Sequence, residues 1–180
     1  VLPEYQGKAD IGETTDFLLD SQTENCPHFL AKVVNHVTLK ESPEWIKNVL
    51  KANGIKSINN LVDISNYVML ETGQPLHFYD LASNPAKEIT VRDDYEGDYT
   101  ALDGVTYAIE KGDLMITSEG KPIGIAGIMG GDNTKILDDT KGIIIEAALF
   151  DHAQIRRTAN RLGLQTEAAA RFAKGLEPLA

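Results

Sequence analysis

The chain has 180 residues, of which 42% are hydrophobic and 24% are charged, as is usual for a globular protein with a real core. It contains no run of about 18 apolar residues, which argues against a membrane span. The formal net charge of −10 argues against a protein that grips nucleic acid by bulk electrostatics. Cys26 is the only cysteine, which excludes an internal disulfide and a zinc site built from several cysteines.

These bulk properties favour a cytoplasmic protein, because disulfides are absent and no charged and apolar leader opens the sequence. The chain begins at Val1 rather than methionine, so we expect a piece of a longer protein. Residues 1–25 are polar and acidic, and we interpret them as an extended lead-in or linker before one domain over residues 26–180. Apolar and polar residues alternate over 29–39, which predicts a half-buried strand.

Two helices are predicted after this strand. Ser42 is suited to the N-cap of the first helix and Pro43 to its first position. Its buried stripe is expected to consist of Trp45, Ile46, Val49 and Leu50. Apolar residues at helical spacing predict the second helix over 60–71, ended by Gly73. Because the Gln-Pro pair that follows cannot continue a helix, we expect His77 to lie on a loop.

The middle of the sequence is rich in short apolar runs typical of strands. Strands are predicted over residues 89–92, 99–102, 105–109, 114–117, 122–125 and 143–145. The dipeptides Asp103-Gly104 and Glu119-Gly120 each separate two of these strands, and they tolerate the positive φ of a tight hairpin turn. The sequence therefore predicts two hairpins and two further strands, of which the one over 143–145 is fully buried.

Helical patterns return at the C-terminal end. Asp151 and Gln154 have the spacing of a capping box, and the helix that they begin is predicted to end at Gly163. Thr166 is suited to the N-cap of a second helix that runs through Ala173. Strands cluster centrally and helices lie at both ends, so the order of elements indicates a layered domain of the α+β class.

The two parts of the chain differ in charge. Residues 1–150 carry 12 basic and 24 acidic side chains, a balance of −12, whereas residues 151–180 carry five basic and three acidic side chains, a balance of +2. The C-terminal segment is therefore the first candidate for a contact with a phosphate backbone. A solvated helix face would carry the same residues.

Familiar catalytic motifs are absent from the sequence. There is no G-x-S-x-G, no H-E-x-x-H, and no glycine loop followed by Lys-Ser or Lys-Thr. The histidines are scattered rather than paired at the spacing of metal ligands; they are His28, His36, His77 and His152. Common hydrolase and metal chemistries are therefore poorly supported.

Four features are still unusual. The run GIAGIMGG at 124–131 suits either a close backbone approach to a ligand or a plain strand bend. Glu146 follows three isoleucines, so its carboxyl must be paired, protonated, aimed at a cavity or turned outward at a strand end. His77 is either functional or a surface histidine, and Thr166 is either functional or only an N-cap.

Three long segments carry a family resemblance: NNLVDISNYVMLETGQPLHFYD at 59–80, GIAGIMGG at 124–131, and IEAALFDHAQIRRTANRLGLQTEAAARF at 145–172. With them, the chain resembles the editing domain of the bacterial phenylalanyl-tRNA synthetase beta subunit. The resemblance implies a three-layer arrangement, with a central β-sandwich of unusual topology and helices packed outside. It also implies hydrolysis of tyrosine from mischarged tRNA(Phe).

The same resemblance implies partners and a set of pocket residues. The partners are tRNA(Phe), the rest of the beta subunit and the alpha subunit, in an alpha2beta2 heterotetramer. ATP and magnesium are implied only for the synthetic site on the partner subunit, with no cofactor in this domain. His77 and Thr166 are implied to be catalytic, and His77 would lie beside the ester, either as a base or only to orient water. Substrate binding is implied for Glu146, which would accept a hydrogen bond from the tyrosine hydroxyl, and for Gly130, Asn66 and Ala168.

Departures and rival interpretations remain. Family members often have serine at the position of Ala169 and Glu-Arg at that of Ala173-Lys174, which affects helix contacts beyond the pocket. One rival is a non-catalytic structural or tRNA-positioning module of the same fold. Another is a related appended domain of a tRNA-modifying lysidine synthetase. The presence of the whole pocket set weighs against both.

Overall fold

The computed structural model describes residues 16–176, and within them it has ten strands and four α-helices. The strands are β1 Leu18–Ser21, β2 His28–Val34, β3 Leu76–Asp80, β4 Glu88–Arg92, β5 Gly97–Thr100, β6 Thr106–Ile109, β7 Met115–Ser118, β8 Lys121–Ile125, β9 Met129–Gly130 and β10 Ile143–Leu149. The helices are α1 Glu44–Ala52, α2 Asn60–Thr72, α3 His152–Leu162 and α4 Glu167–Lys174. The predicted α+β class is therefore confirmed.

The described strands form three sheets. The largest has the order β1-β4-β7-β8-β9, in which only the β1–β4 pair is parallel. The second has the order β2-β10-β3 and is antiparallel throughout. The third is the β5–β6 hairpin. The predicted layering, a central β-sandwich with helices outside, stays a prediction.

One apolar cluster joins the two larger sheets. Tyr79 and Ile144 from the three-stranded sheet pack in the same cluster as Ile89 and Ile116 from the five-stranded sheet, and Phe172 of α4 joins them. Because these side chains are removed from water together, the cluster fixes β3 and β10 relative to the glycine-rich strands β8 and β9.

Several predicted element ends are confirmed. Helix α2 begins at Asn60 and Gly73 ends it in the left-handed region at φ 77°, both as predicted. The Asn59 side chain, which the sequence analysis did not single out, caps the helix by accepting from the Val62 N–H. Asp151 caps α3 by accepting from the Gln154 N–H. The Glu119-Gly120 turn has φ values of 50° and 72°, as a tight hairpin requires.

The start of α1 differs from the prediction. Pro43, not Ser42, occupies the N-cap position and makes no side-chain cap. The Ser42 hydroxyl instead donates to Asp63 Oδ2 at 2.5 Å, because the fully buried Asp63 carboxyl needs donors. Trp45, predicted to be buried, is 55% exposed and packs edge-on against Tyr67 on α2.

The placement of His77 on a loop was wrong. His77 lies in strand β3, which pairs with β10. Only the short stretch 73–75 separates helix α2 from this strand. The partner strand that makes residues 76–80 a strand lies more than 60 residues further along the chain, so no local pattern announces it.

The predicted lead-in contributes to the fold. Residues 18–21 form β1, which pairs in parallel with β4. Residues 1–15 and 177–180 lie outside the described residues, so the domain boundary at residue 26 stays a prediction. In the described part of the chain, no helix combines the length and the apolar character needed to cross a membrane.

Replacing Asp63 by alanine is expected to destabilise the chain by about 3 kcal/mol, since three donors lose their acceptor together. They are the Ser42 and Ser57 hydroxyls, each at 2.5 Å, and the Ile58 N–H at 2.9 Å. The midpoint of urea unfolding would report the loss. Asp98→Ala, at an exposed position, serves as the control and should leave the midpoint unchanged.

Candidate functional site

A cavity of about 300 Å³ opens between β3, β8, β9, β10 and the start of α4. Five of the six predicted site residues line it: His77, Gly130, Glu146, Thr166 and Ala168. They come from four separate elements or their caps, and the fold brings them together although they are spread over residues 77–168. The remaining wall is largely apolar and includes Leu102, Ile116, Ile128 and Phe172.

The sheet register places the side chains of His77 and Glu146 next to each other. His77 on β3 stands directly opposite Glu146 on β10 in the antiparallel ladder. Residues directly opposite in such a ladder share a face, with Cβ atoms about 5 Å apart. Tyr79 lies two residues beyond His77 and therefore points to the same face. The strand pairing thus creates a His–Tyr–Glu group on one sheet face.

Glycine at 130 makes room for this group. An ideal Cβ on Gly130 would stand 2.3 Å from Cε1 and 2.6 Å from Nε2 of His77, far inside any normal contact. Gly130 pairs with Gly124 on β8. Gly130 thus lets the backbone of the five-stranded sheet approach the imidazole directly. The sequence left open an approach to a ligand or a strand bend; the approach seen is to a side chain of the protein, and an approach to a ligand stays a prediction.

Glu146 is a buried acid whose carboxyl faces the cavity. Its side chain is 6% exposed, and the Tyr79 hydroxyl donates to its Oε2. Burial raises the pKa of Glu146 to about 7, while the hydrogen bond from Tyr79 opposes that rise. The carboxyl therefore changes its charge near neutral pH. Of the alternatives that the sequence left open, the acid is both paired and directed at a cavity.

His77 is uncharged at neutral pH. Burial lowers the pKa of its imidazole to about 4. The ring packs edge-on against Tyr79, with centroids 4.4 Å apart and planes at 83°. A neutral imidazole has one N–H donor and one acceptor nitrogen, so it can hold a water molecule or a substrate group but is a weak base.

Thr166 and Ala168 form the wall beside α4. The Thr166 hydroxyl caps the helix by accepting from the Ala169 N–H at 3.1 Å, which confirms the predicted N-cap. The same hydroxyl donates to the Ile128 carbonyl oxygen at 2.8 Å and so ties α4 to the glycine-rich segment. The hydroxyl proton of Thr166 is therefore engaged by the Ile128 carbonyl oxygen, and a catalytic role for Thr166 stays a prediction.

Asn66 is the predicted residue that the fold does not bring to the cavity. It lies half-buried on α2 and is not among the residues that line the cavity. The sequence interpretation also missed Tyr79, which touches both Glu146 and His77. A strand prediction for residues 76–80 would have placed His77 and Tyr79 on one face of the strand and so identified Tyr79 as a further candidate site residue.

Among residues 16–176, no group of three or more histidine, cysteine, aspartate or glutamate side chains is arranged to hold a metal ion. The expectation of a cofactor-free domain stays a prediction.

Comparisons with known proteins agree on one family. A family model described as the B3/4 domain matches residues 25–180. A phenylalanine–tRNA ligase beta subunit from Dehalococcoides mccartyi is 46% identical over 155 residues, covering 86% of this chain and 19% of that protein. One from Staphylococcus saprophyticus is 42% identical over 177 residues, covering 97% of this chain and 22% of that protein. The chain thus spans about a fifth of the length of these relatives.

A solved structure supports the same fold. An N-terminal fragment of the phenylalanyl-tRNA synthetase beta subunit from Pyrococcus horikoshii superposes with a TM-score of 0.57, over 86% of this chain and 51% of that one. At 9% identity this likeness concerns the fold alone. Together with the family match, the comparisons confirm the resemblance to this beta subunit that the sequence motifs indicated.

Proposed function

The chain belongs to the B3/4 domain family, as found in phenylalanine–tRNA ligase beta subunits, and from this we propose that it is an editing domain. Its substrate is tRNA(Phe) that carries tyrosine in error, and its reaction is hydrolysis of the aminoacyl ester. The observation that carries the proposal is the buried Glu146 carboxyl, which faces an otherwise largely apolar cavity beside a neutral His77.

A cavity of this kind is suited to recognise a phenol. The apolar wall accommodates an aromatic ring, and Glu146 accepts a hydrogen bond from the ring hydroxyl. A pocket built to bond a hydroxyl rejects the analogue that lacks it by about 10,000-fold, whereas an apolar pocket rejects an added hydroxyl by only about 100-fold. A separate cavity that demands the hydroxyl therefore corrects an error that a phenylalanine pocket cannot avoid.

The proposed chemistry is attack of water on the ester carbonyl. A bond forms between the water oxygen and the carbonyl carbon, the bond from that carbon to the ribose oxygen breaks, and the ribose oxygen takes up the released proton. His77 orients the water, because a pKa of about 4 makes its imidazole a weak base at neutral pH. Positioning of this kind can supply a large part of a rate enhancement.

The wider assembly is part of the proposal. The chain would act within a beta subunit, with an alpha subunit that holds the synthetic site together with its ATP and magnesium, in the cytoplasm. The net charge of −10 implies that other parts of the assembly supply most of the affinity for tRNA. Glu146 then needs to recognise only the amino acid at the 3′ end.

Replacing His77 by alanine in the full synthetase is expected to slow hydrolysis of Tyr-tRNA(Phe) about 100-fold, because the water loses its orienting group. The rate of deacylation of purified Tyr-tRNA(Phe) measures this. His28→Ala, an exposed histidine on β2, is the control and should hydrolyse at the wild-type rate. Phenylalanylation of tRNA should be unchanged in both variants.

One result would contradict the proposed function, and another would contradict only the role of His77. Wild-type synthetase that leaves Tyr-tRNA(Phe) intact would favour the non-catalytic, tRNA-positioning interpretation. Normal hydrolysis by His77→Ala would remove His77 from the mechanism while leaving the reaction itself in place.

A further inference from the structure

Tyr79 links the two side chains on which the proposed editing site depends. It is 1% exposed, its hydroxyl donates to Glu146, and its ring packs edge-on against His77. The phenol oxygen also lies near Gly124, 3.8 Å from where a Cβ would stand there. Tyr79 is thus a buried part of the cavity wall, and its hydroxyl is directed at the carboxyl of Glu146.

The hydrogen bond distinguishes the two oxygens of the Glu146 carboxyl. Within residues 16–176, the side-chain hydrogen bond to Glu146 is the one from Tyr79 to Oε2. No fully enclosed side-chain oxygen or nitrogen of the described residues lacks a partner. Oε1, which has no such bond, is therefore the oxygen that the cavity reaches. In the Glu146 carboxyl, Oε2 thus accepts the hydrogen bond from Tyr79, and Oε1 is available to accept one from a substrate.

Of the titratable groups near Glu146, neither His77 nor Cys26 donates a hydrogen bond to its carboxyl. His77 is neutral and stands opposite on β3. Cys26 lies close enough for the charge of Glu146 to help raise the pKa of its thiol, but that thiol donates to the His28 carbonyl oxygen at 3.6 Å. Among these titratable neighbours, Tyr79 is the one that donates a hydrogen bond to the carboxyl.

We infer that Tyr79 is a positioning residue for substrate discrimination: its hydroxyl holds Oε2 of Glu146 so that Oε1 faces the cavity as the acceptor for a substrate hydroxyl. This inference rests on the proposed function. A buried carboxyl without a partner would otherwise turn toward any available donor or take up a proton. The bond from Tyr79 opposes both, because it holds Oε2 in place and because a hydrogen bond to the charged form favours that form.

The test is Tyr79→Phe in the full synthetase, which removes one oxygen and keeps the ring. We expect kcat/KM for Tyr-tRNA(Phe) hydrolysis to fall about tenfold, mainly through a higher KM. The reason is that Oε1 of Glu146 would be less well placed to bind the substrate hydroxyl, and this hydrogen bond is made equally in the ground state and the transition state. The slow hydrolysis of Phe-tRNA(Phe) should stay at its wild-type rate. The pH midpoint of tyrosine-over-phenylalanine discrimination should rise, since the bond that lowers the Glu146 pKa is gone.

The matched control is Tyr99→Phe, another buried tyrosine, whose hydroxyl donates to Asn133. It should keep both the discrimination and its pH midpoint. A merely structural role for Tyr79 would lower hydrolysis of both esters together and leave the midpoint in place, and that result would overturn the inference.

Glu146→Gln separates this inference from the proposed function. If Glu146→Gln loses discrimination while Tyr79→Phe keeps both discrimination and midpoint, the inference is wrong and the editing function stands. If wild type, Glu146→Gln and Tyr79→Phe all treat the two esters alike, the hydroxyl-sensing function and the inference fall together.

Discussion

Replacing Glu146 by glutamine is expected to lower the preference for Tyr-tRNA(Phe) over Phe-tRNA(Phe) in hydrolysis by about 10- to 100-fold. The physical reason is that hydrogen bonds to charged groups contribute about 1.5–3 kcal/mol, roughly twice the value for neutral pairs. Glutamine keeps the shape and one acceptor oxygen but not the charge. The measurement is the ratio of kcat/KM for the two esters with the full synthetase.

The preference of the wild-type protein for Tyr-tRNA(Phe) over Phe-tRNA(Phe) should depend on pH, because it depends on the charge of Glu146. Burial raises the pKa of Glu146 to about 7, so the carboxyl is ionised above that pH and protonated below it. Discrimination is therefore expected to approach its full value well above pH 7, to be half-lost near pH 7 and to weaken further as the pH falls. Glu146→Gln should show the weakened discrimination at every pH, because it has no proton to lose.

Glu167→Gln is the control for this experiment. Glu167 is an exposed acid one residue from both Thr166 and Ala168, and its carboxyl pairs with Arg171 at 2.6 Å rather than facing the cavity. It should leave the ratio and its pH dependence unchanged. Wild-type discrimination in Glu146→Gln would show that the hydroxyl is sensed elsewhere.

Replacing Gly130 by alanine is expected to lower Tyr-tRNA(Phe) hydrolysis by about 100-fold. The new Cβ would stand 2.3 Å from Cε1 of His77, so the imidazole must leave its place, and a displacement of about 1 Å is enough for such a loss. Overpacking of this kind also destabilises a fold by about 1–3 kcal/mol. Deacylation and urea unfolding, measured on the same preparations, separate the two effects.

Gly124→Ala provides a close control. Gly124 pairs with Gly130 across β8 and β9, but its Cβ would meet nothing nearer than the Gly130 Cα at 3.7 Å. It should therefore retain hydrolysis. If Gly130 acts through His77, then Gly130→Ala should add little in a His77→Ala background, since residues in one unit are not additive. A full further loss in that background would mean that Gly130 acts on the substrate directly.

Local sequence was sufficient for most element ends and for the class of fold. The Gly73 stop, the Asp151 and Thr166 caps and the Glu119-Gly120 turn were all predicted, because each depends on the chemistry of adjacent residues. The start of α1 was not, since Ser42 bonds to an acid 21 residues away rather than to its own helix.

For the site, the sequence by itself determined which residues were unusual, and the motifs determined the family. Glu146 was evidently an acid in an apolar strand, and the glycine run suited either a close backbone approach to a ligand or a strand bend. Only the tertiary structure decided that His77 lies on a strand opposite Glu146, that Tyr79 is the partner of that acid, and that Asn66 stays outside the cavity. The reason is that register between β3 and β10 is set by packing across the whole sheet, which no window of neighbouring residues contains.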